Sequence, residues 1–202
     1  MPPIKLVIFD IVGTIVEDRG AVAHAFSSAL RAHAVSFTDA ELAEWKGASK
    51  REVIRHFVTR QSESASSDKV EQVYDEFRRG LEGQYRENKV SPIPGAGETF
   101  AWLRNRAISI ATTSGFYREI AAVILERAGW RDTFAANISS SDVAVGRPAP
   151  FMIFRAMEAV GVCNVREVIN VGDTPLDLQA GTNASVGNVI GVLSGRHRKE
   201  RL

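Results

Sequence analysis

Five short runs of the chain are almost continuously apolar: Lys5–Asp10, Ala107–Thr112, Phe134–Ile138, Val168–Val171 and Asn188–Val192. Alternation of apolar and polar residues would mark a strand with one wet face. Continuous runs of this length predict strands buried on both faces, as in a parallel sheet. Between them, helical spacing of apolar residues covers Ala96–Asn105, Arg118–Ala128, Pro150–Val160 and Leu176–Asn183. This regular succession of strand and helix predicts an α/β domain with crossover helices.

From about Val16 to Val90 the pattern changes, and no convincing strand is found. Val70, Val73, Phe77, Leu81 and Tyr85 recur at helical spacing and predict one long amphipathic helix. Thr38-Asp-Ala-Glu41 and Ser49-Lys-Arg-Glu52 read as capping boxes opening two further helices. Gln61–Ser67, with four serines, reads as a loop, and Ser91-Pro-Ile-Pro-Gly95 restarts the α/β pattern with turn chemistry. The expected organisation is a discontinuous core of residues 1–15 and 91–202, with an all-helical insert of residues 16–90.

Composition narrows the class. The 202 residues, 45% hydrophobic and 24% charged, exclude collagenous, disordered and disulfide-stapled chains. Lys and Arg together number 25 against 24 Asp and Glu, a net charge of +1 that predicts no nucleic-acid or membrane partner. The lone Cys163 cannot form an internal disulfide, which fits a reducing compartment, and it reads as a packing residue. No apolar stretch approaches the ~20 residues of a membrane span, and the start runs into strand-like sequence without a leader, so the expectation is a cytoplasmic protein. The four histidines lack ligand spacing, the three tryptophans read as core or interface residues, and Arg196–Arg201 reads as a solvated basic face.

Ligands of an open parallel sheet bind outside the carboxyl ends of its strands. Those ends carry Asp10 with Ile-Val-Gly-Thr14, then Thr112-Thr-Ser-Gly115, then Ser139–Asp142 with Gly146-Arg-Pro148, then Gly172-Asp-Thr-Pro-Leu-Asp177. Singly, each has a bland reading: Asp173 or Ser114 could cap the next helix, and Arg147 could be surface. Together they place carboxylates, a hydroxyl and a guanidinium on one rim. Paired carboxylates with a loop carbonyl suit Mg²⁺, which accepts phosphate oxygens. Ser114, backbone N–H groups such as that of Gly115, and Arg147 suit the remaining oxygens of a phosphoryl group. Asp10 is then placed to attack phosphorus.

Asp10-Ile-Val-Gly-Thr14, Ser114, Arg147 and Gly172-Asp-Thr-Pro-Leu-Asp177 resemble, over essentially the whole chain, the haloacid dehalogenase superfamily. The resemblance implies a Rossmann-like core with an inserted helical cap. It implies Asp10 as nucleophile and Mg²⁺ ligand, with the Val12 carbonyl and Asp173 completing the protein ligands. Asp177 would stand behind them or against a metal-bound water, and Ser114 and Arg147 would hold the phosphoryl group. Most phosphatases of the superfamily carry an aspartate general acid/base two places after the nucleophile, where this chain has Val12. General acid–base help is worth roughly 10²–10⁴ in rate, so ester hydrolysis is expected to be poor.

The phosphonoacetaldehyde hydrolase (phosphonatase) branch, which this chain resembles in Gly47-Ala-Ser-Lys50, Ser114–Glu119 and Val145–Pro150, tolerates an apolar residue there. It cleaves a carbon–phosphorus bond after a cap lysine forms a Schiff base with the substrate aldehyde, and Lys50 falls where that lysine would be. The box at Ser49 puts Lys50 in a first helical turn, where the macrodipole disfavours an ammonium, as an amine nucleophile requires. The resemblance implies a small phosphonate or phosphate substrate, with the cap closing over the core; a homodimer through the cap is a further expectation. It also implies a chain running some twenty residues past Gly191–Gly195, so that a final helix or edge strand is expected to be missing. A slow ester phosphatase and a non-catalytic phosphate binder remain the alternatives.

Overall fold

The structure, a computed structural model, describes residues 2–45, 48–61, 67–195 and 197–202. Lys46, Gly47 of the Gly47–Lys50 segment, most of the serine-rich loop and Arg196 lie outside the described residues. In chain order the elements begin with β1 (Leu6–Phe9), followed by α1 (Ala21–Ala32), α2 (Asp39–Glu44), α3 (Lys50–Gln61) and α4 (Ser67–Glu87). They continue with α5 (Ala96–Arg104), β2 (Ser109–Ser114), α6 (Arg118–Arg127), β3 (Ala136–Ser139), α7 (Phe151–Val160), β4 (Val168–Gly172), α8 (Pro175–Asn183) and β5 (Asn188–Gly191). The chain forms two compact units, Met1–Asp18 with Val90–Leu202, and Arg19–Lys89.

The first unit is built on a five-stranded parallel sheet of order β3-β2-β1-β4-β5. Because side chains alternate along a strand, Leu6 and Ile8 face one side and Val7 and Phe9 the other. Ile153, Ala156 and Met157 of α7, Ala180 of α8 and Ala184 just after it cover the Leu6–Ile8 side. On the opposite side Phe100 of α5 packs edge-on to Phe9, Trp130 and Phe134. Both faces are therefore buried, which is why the strand sequences read as unbroken apolar runs. Phe9 is level with Thr112 and Val171, and Ser114 with Ser139. This register brings the four carboxyl ends to one rim.

β2 starts two residues later than the hydrophobic run suggests, because Ala107 adopts a positive φ of 54° and Ile108 closes the turn after α5 by bonding Leu103. It also runs two residues further, because Thr113 and Ser114 pair with Ile138 and Ser139 of β3, so Ser114 ends the strand. The boundary near Val16 also moves: Ile93 donates to Ile15 O and Glu17 donates to Ser91 O, so Val16–Asp18 and Val90 belong with the sheet. These bonds draw the two crossings between the units side by side.

In the second unit α1 and α4 pack along an apolar seam in which Phe26 stacks on Phe77 at 4.3 Å. Val70, Val73, Phe77, Leu81 and Tyr85 of α4 are all buried, as their spacing predicts. The Thr38 capping box is formed: the Glu41 amide donates to its hydroxyl, and its own amide donates to the Glu41 carboxylate. Two expectations of packing fail. Trp102 is half exposed, its ring covered by the Arg106 guanidinium at 4.0 Å instead of by core. Cys163 is exposed. Among the described residues no helix is long and apolar enough to cross a membrane.

Candidate active site

Asp10 follows β1 directly, and its amide continues the ladder by donating to Val171 O at 2.9 Å. Asp173 directly follows β4. Asp177 lies one helical turn later, where Thr174 caps α8: the Asp177 amide donates to Thr174 Oγ1, and Thr174 N and Oγ1 donate back to Asp177 Oδ2 at 3.0 and 2.6 Å. The cap is thus Thr174 and not Asp173. Oxygens of Asp10, Asp173 and Asp177 lie within 4.8 Å of one another, and all three residues are buried.

Arg147 reaches this cluster from the loop before α7. Its Nη2 stands 2.9 Å from Asp10 Oδ1 and donates to Thr113 Oγ1 at 3.1 Å. Its Nη1 lies 2.5 Å from Asp177 Oδ1, off the hydrogen-bond direction, so that contact is an ion pair. Burial works against the guanidinium charge, but Asp177 and Asp10 outweigh it and hold Arg147 protonated more firmly than a free arginine. Burial pushes the Asp10 carboxyl up to about 7; Arg147 opposes that rise, and Asp177 and Asp173 add to it.

Asp10, Asp173 and Asp177 thus gather three carboxyl groups in a buried space beside one guanidinium. Such a set is stable only if protonated or neutralised. An all-oxygen donor set fits a hard divalent cation such as Mg²⁺. Asp177 has Thr174 on Oδ2 and Arg147 on Oδ1, while Asp10 meets Arg147 through Oδ1 and Asp173 accepts from Thr14 through Oδ1. Val12, the third expected ligand through its carbonyl, is half-buried in the turn after Asp10.

Ser114 is buried at the end of β2, and its Oγ accepts from the Phe116 amide at 3.2 Å, shaping the turn through Gly115. Lys50 belongs to the second unit, at the first position of α3, where it is buried and donates to Ala48 O at 3.2 Å. Four residues make contacts that the motifs alone did not assign. Thr113 anchors Arg147, and Thr14 Oγ1 donates to Asp173 Oδ1 at 3.3 Å. Gly13, at a φ of +102°, packs its backbone against Asp173, as does Gly195. The glycines were legible only as turn punctuation, since the carboxylate they touch is 160 and 22 positions away.

The family model of haloacid dehalogenase-like hydrolases matches residues 7–192. A phosphonoacetaldehyde hydrolase of Hahella chejuensis is 33% identical over 96% of this chain and 69% of its own length. A second, from Parabacteroides distasonis, is also 33% identical, but the match spans 62% of this chain and about half (47%) of that protein. The crystal structure of a phosphonoacetaldehyde hydrolase-like protein of Oleispira antarctica superposes with a TM-score of 0.83 at 26% identity, covering 96% of this chain and 74% of that one. With the sheet order, the rim carboxylates and the match over residues 7–192 in agreement, the chain belongs to the haloacid dehalogenase-like hydrolases and is phosphonatase-like among them.

Proposed function

We propose that the protein is a Mg²⁺-dependent hydrolase that cleaves the carbon–phosphorus bond of a small phosphonoaldehyde. The observation that carries the reading is the buried set of Asp10, Asp173, Asp177 and Arg147 at the strand ends, beside an apolar Val12. Asp10, Asp173 and the Val12 carbonyl would hold the cation, whose bound charge offsets that of the carboxylates and the phosphonate. Ser114, the Gly115 amide and Arg147 bind phosphonate oxygens. The Lys50 amine condenses with the aldehyde, losing water and leaving a protonated imine. Asp10 attacks phosphorus; the carbon–phosphorus electron pair moves toward the iminium nitrogen, giving an enamine and an aspartyl-phosphate. Water releases phosphate from Asp10, and protonation at carbon with hydrolysis frees the aldehyde and Lys50. No general acid is needed at position 12, because the leaving carbon is never a free carbanion.

Borohydride with phosphonoacetaldehyde should leave a reduced adduct on Lys50, found by peptide mass spectrometry. Lys50→Arg should lose both adduct and turnover. Absence of adduct, with turnover intact in Lys50→Arg, overturns the Schiff-base step and leaves ester hydrolysis. Val12→Asp supplies the absent carboxyl and should raise phosphate-ester hydrolysis by about 10²-fold without helping carbon–phosphorus cleavage.

A further inference from the structure

Asp173 has no exposed surface, and its Oδ2 side is filled by backbone from two loops distant in sequence. A Cβ on Gly13, after β1, would lie 2.4 Å from Asp173 Oδ2, and one on Gly195, after β5, would lie 1.8 Å from the same oxygen. Both approaches are closer than any side chain permits, so neither position accepts even alanine unless the carboxylate moves. Gly195 is not among the positive-φ glycines, so space and not backbone conformation demands it. The two loops are tied together, since Ser194 Oγ donates to Gly13 O at 2.8 Å. The other oxygen, Oδ1, takes the Thr14 hydroxyl. None of the roles above uses the turn after β5.

We infer that Ser194 and Gly195 are positioning residues for cation binding: Gly195 backbone fixes the orientation of the Asp173 carboxylate, and Ser194 locks the Gly13 loop against it. The inference rests on the reading that Asp10 and Asp173 hold a divalent cation. A fixed carboxylate matters most for Mg²⁺, which requires near-ideal octahedral geometry, and less for Ca²⁺, which accepts longer and variable bonds. The clamp therefore selects Mg²⁺ over Ca²⁺. A role in folding alone would lower stability without changing that preference.

Titration calorimetry of the full chain with Mg²⁺ and with Ca²⁺ tests this. Removing a group that orients a metal ligand typically weakens binding about 10–100-fold, so Gly195→Ala should lose Mg²⁺ affinity in that range and Ca²⁺ affinity by about threefold at most. Ser194→Ala should weaken Mg²⁺ binding about threefold, and Ser194→Thr, which keeps the hydroxyl, should restore it. Should Gly195→Ala fail to fold, the Ser194 pair decides. Wild-type Mg²⁺ affinity in Gly195→Ala or, failing that, in Ser194→Ala overturns the inference, as does equal loss of both ions. If Asp173→Ala binds Mg²⁺ as the wild type does, the cation reading itself falls.

Discussion

At the carboxyl rim of the sheet, Asp10, Arg147, Asp173 and Asp177 are all buried, with the Arg147 and Asp177 side chains 2% exposed. In the helical unit Lys50 is buried, but four ion pairs lie at the surface: Arg51 with Glu71, Arg60 with Glu41, Arg79 with Glu76 and Arg86 with Glu82. Those exposed pairs decorate a seam whose cohesion comes from Phe26, Phe77 and Leu81. Water screens a surface pair to within about 1 kcal/mol of nothing, whereas removing one partner of a buried pair costs about 3–5 kcal/mol. Burial therefore favours stability in the helical seam and works against it at the rim, where the fold encloses charge.

The largest effect should come from Asp10→Asn, which removes the nucleophile while keeping its shape. Turnover should fall by about 10⁴-fold or more, and chelation by EDTA should abolish wild-type turnover reversibly. Retained activity in either experiment would mean that the rim is not where the chemistry occurs.

Next come two substitutions expected to match in size but not in cause. Arg147→Ala removes the buried partner of Asp10 and Asp177 and should lower unfolding free energy by about 3–5 kcal/mol. Phe77→Ala empties the α1–α4 seam and should cost a similar 3–5 kcal/mol or so by lost burial and cavity formation. Added Mg²⁺ should recover part of the Arg147→Ala loss and none of the Phe77→Ala loss in thermal melts. Equal recovery, or none in both, would erase the distinction between the regions.

The pH dependence of the chelated protein is smaller. A carboxyl raised from 3.8 to about 7 binds a proton more tightly in the folded chain than in the unfolded one. Its contribution to stability is therefore fullest below about pH 4 and is lost as pH rises through about 7. Asp10→Asn removes this term, so the variant should melt above wild type by about 5 °C at pH 8, with the gap closing toward pH 5. A gap independent of pH would show that Asp10 carries no such burden.

Much of this was legible in the chain for physical reasons. Apolar runs reveal strands buried on both faces, and α4 is readable because one stripe of it is core. Asp10, Ser114, Arg147 and Asp173 could be singled out as candidates because a parallel sheet gathers its strand ends. Thr113, Thr14, Ser194 and Gly195 could not be, since their roles are contacts with residues far along the chain. Trp102 misled because a large ring can be covered by an arginine stem instead of by core.

The smallest expected effect concerns the best-formed exposed pair, and it tests the comparison from the other side. Arg60 Nη1 stands 2.5 Å from Glu41 Oε1, its Nη2 donates to Ser36 O at 3.1 Å, and its guanidinium lies over the Phe57 ring. The Arg60 hydrogen bond, with those from Thr38 N and Oγ1, holds the Glu41 carboxyl down at about 2. A lowered carboxyl adds stability above its unfolded value near 4.5, and that stability is lost as pH falls toward 2. Arg60→Ala removes the largest of these influences but leaves the capping box, so Glu41 should titrate higher, though still below an ordinary glutamate, when followed by NMR. Solvent screening should keep the melting temperature at pH 7 within about 2 °C of wild type, less in high salt. A loss as large as that of Arg147→Ala would mean that burial does not set the worth of charge in this protein.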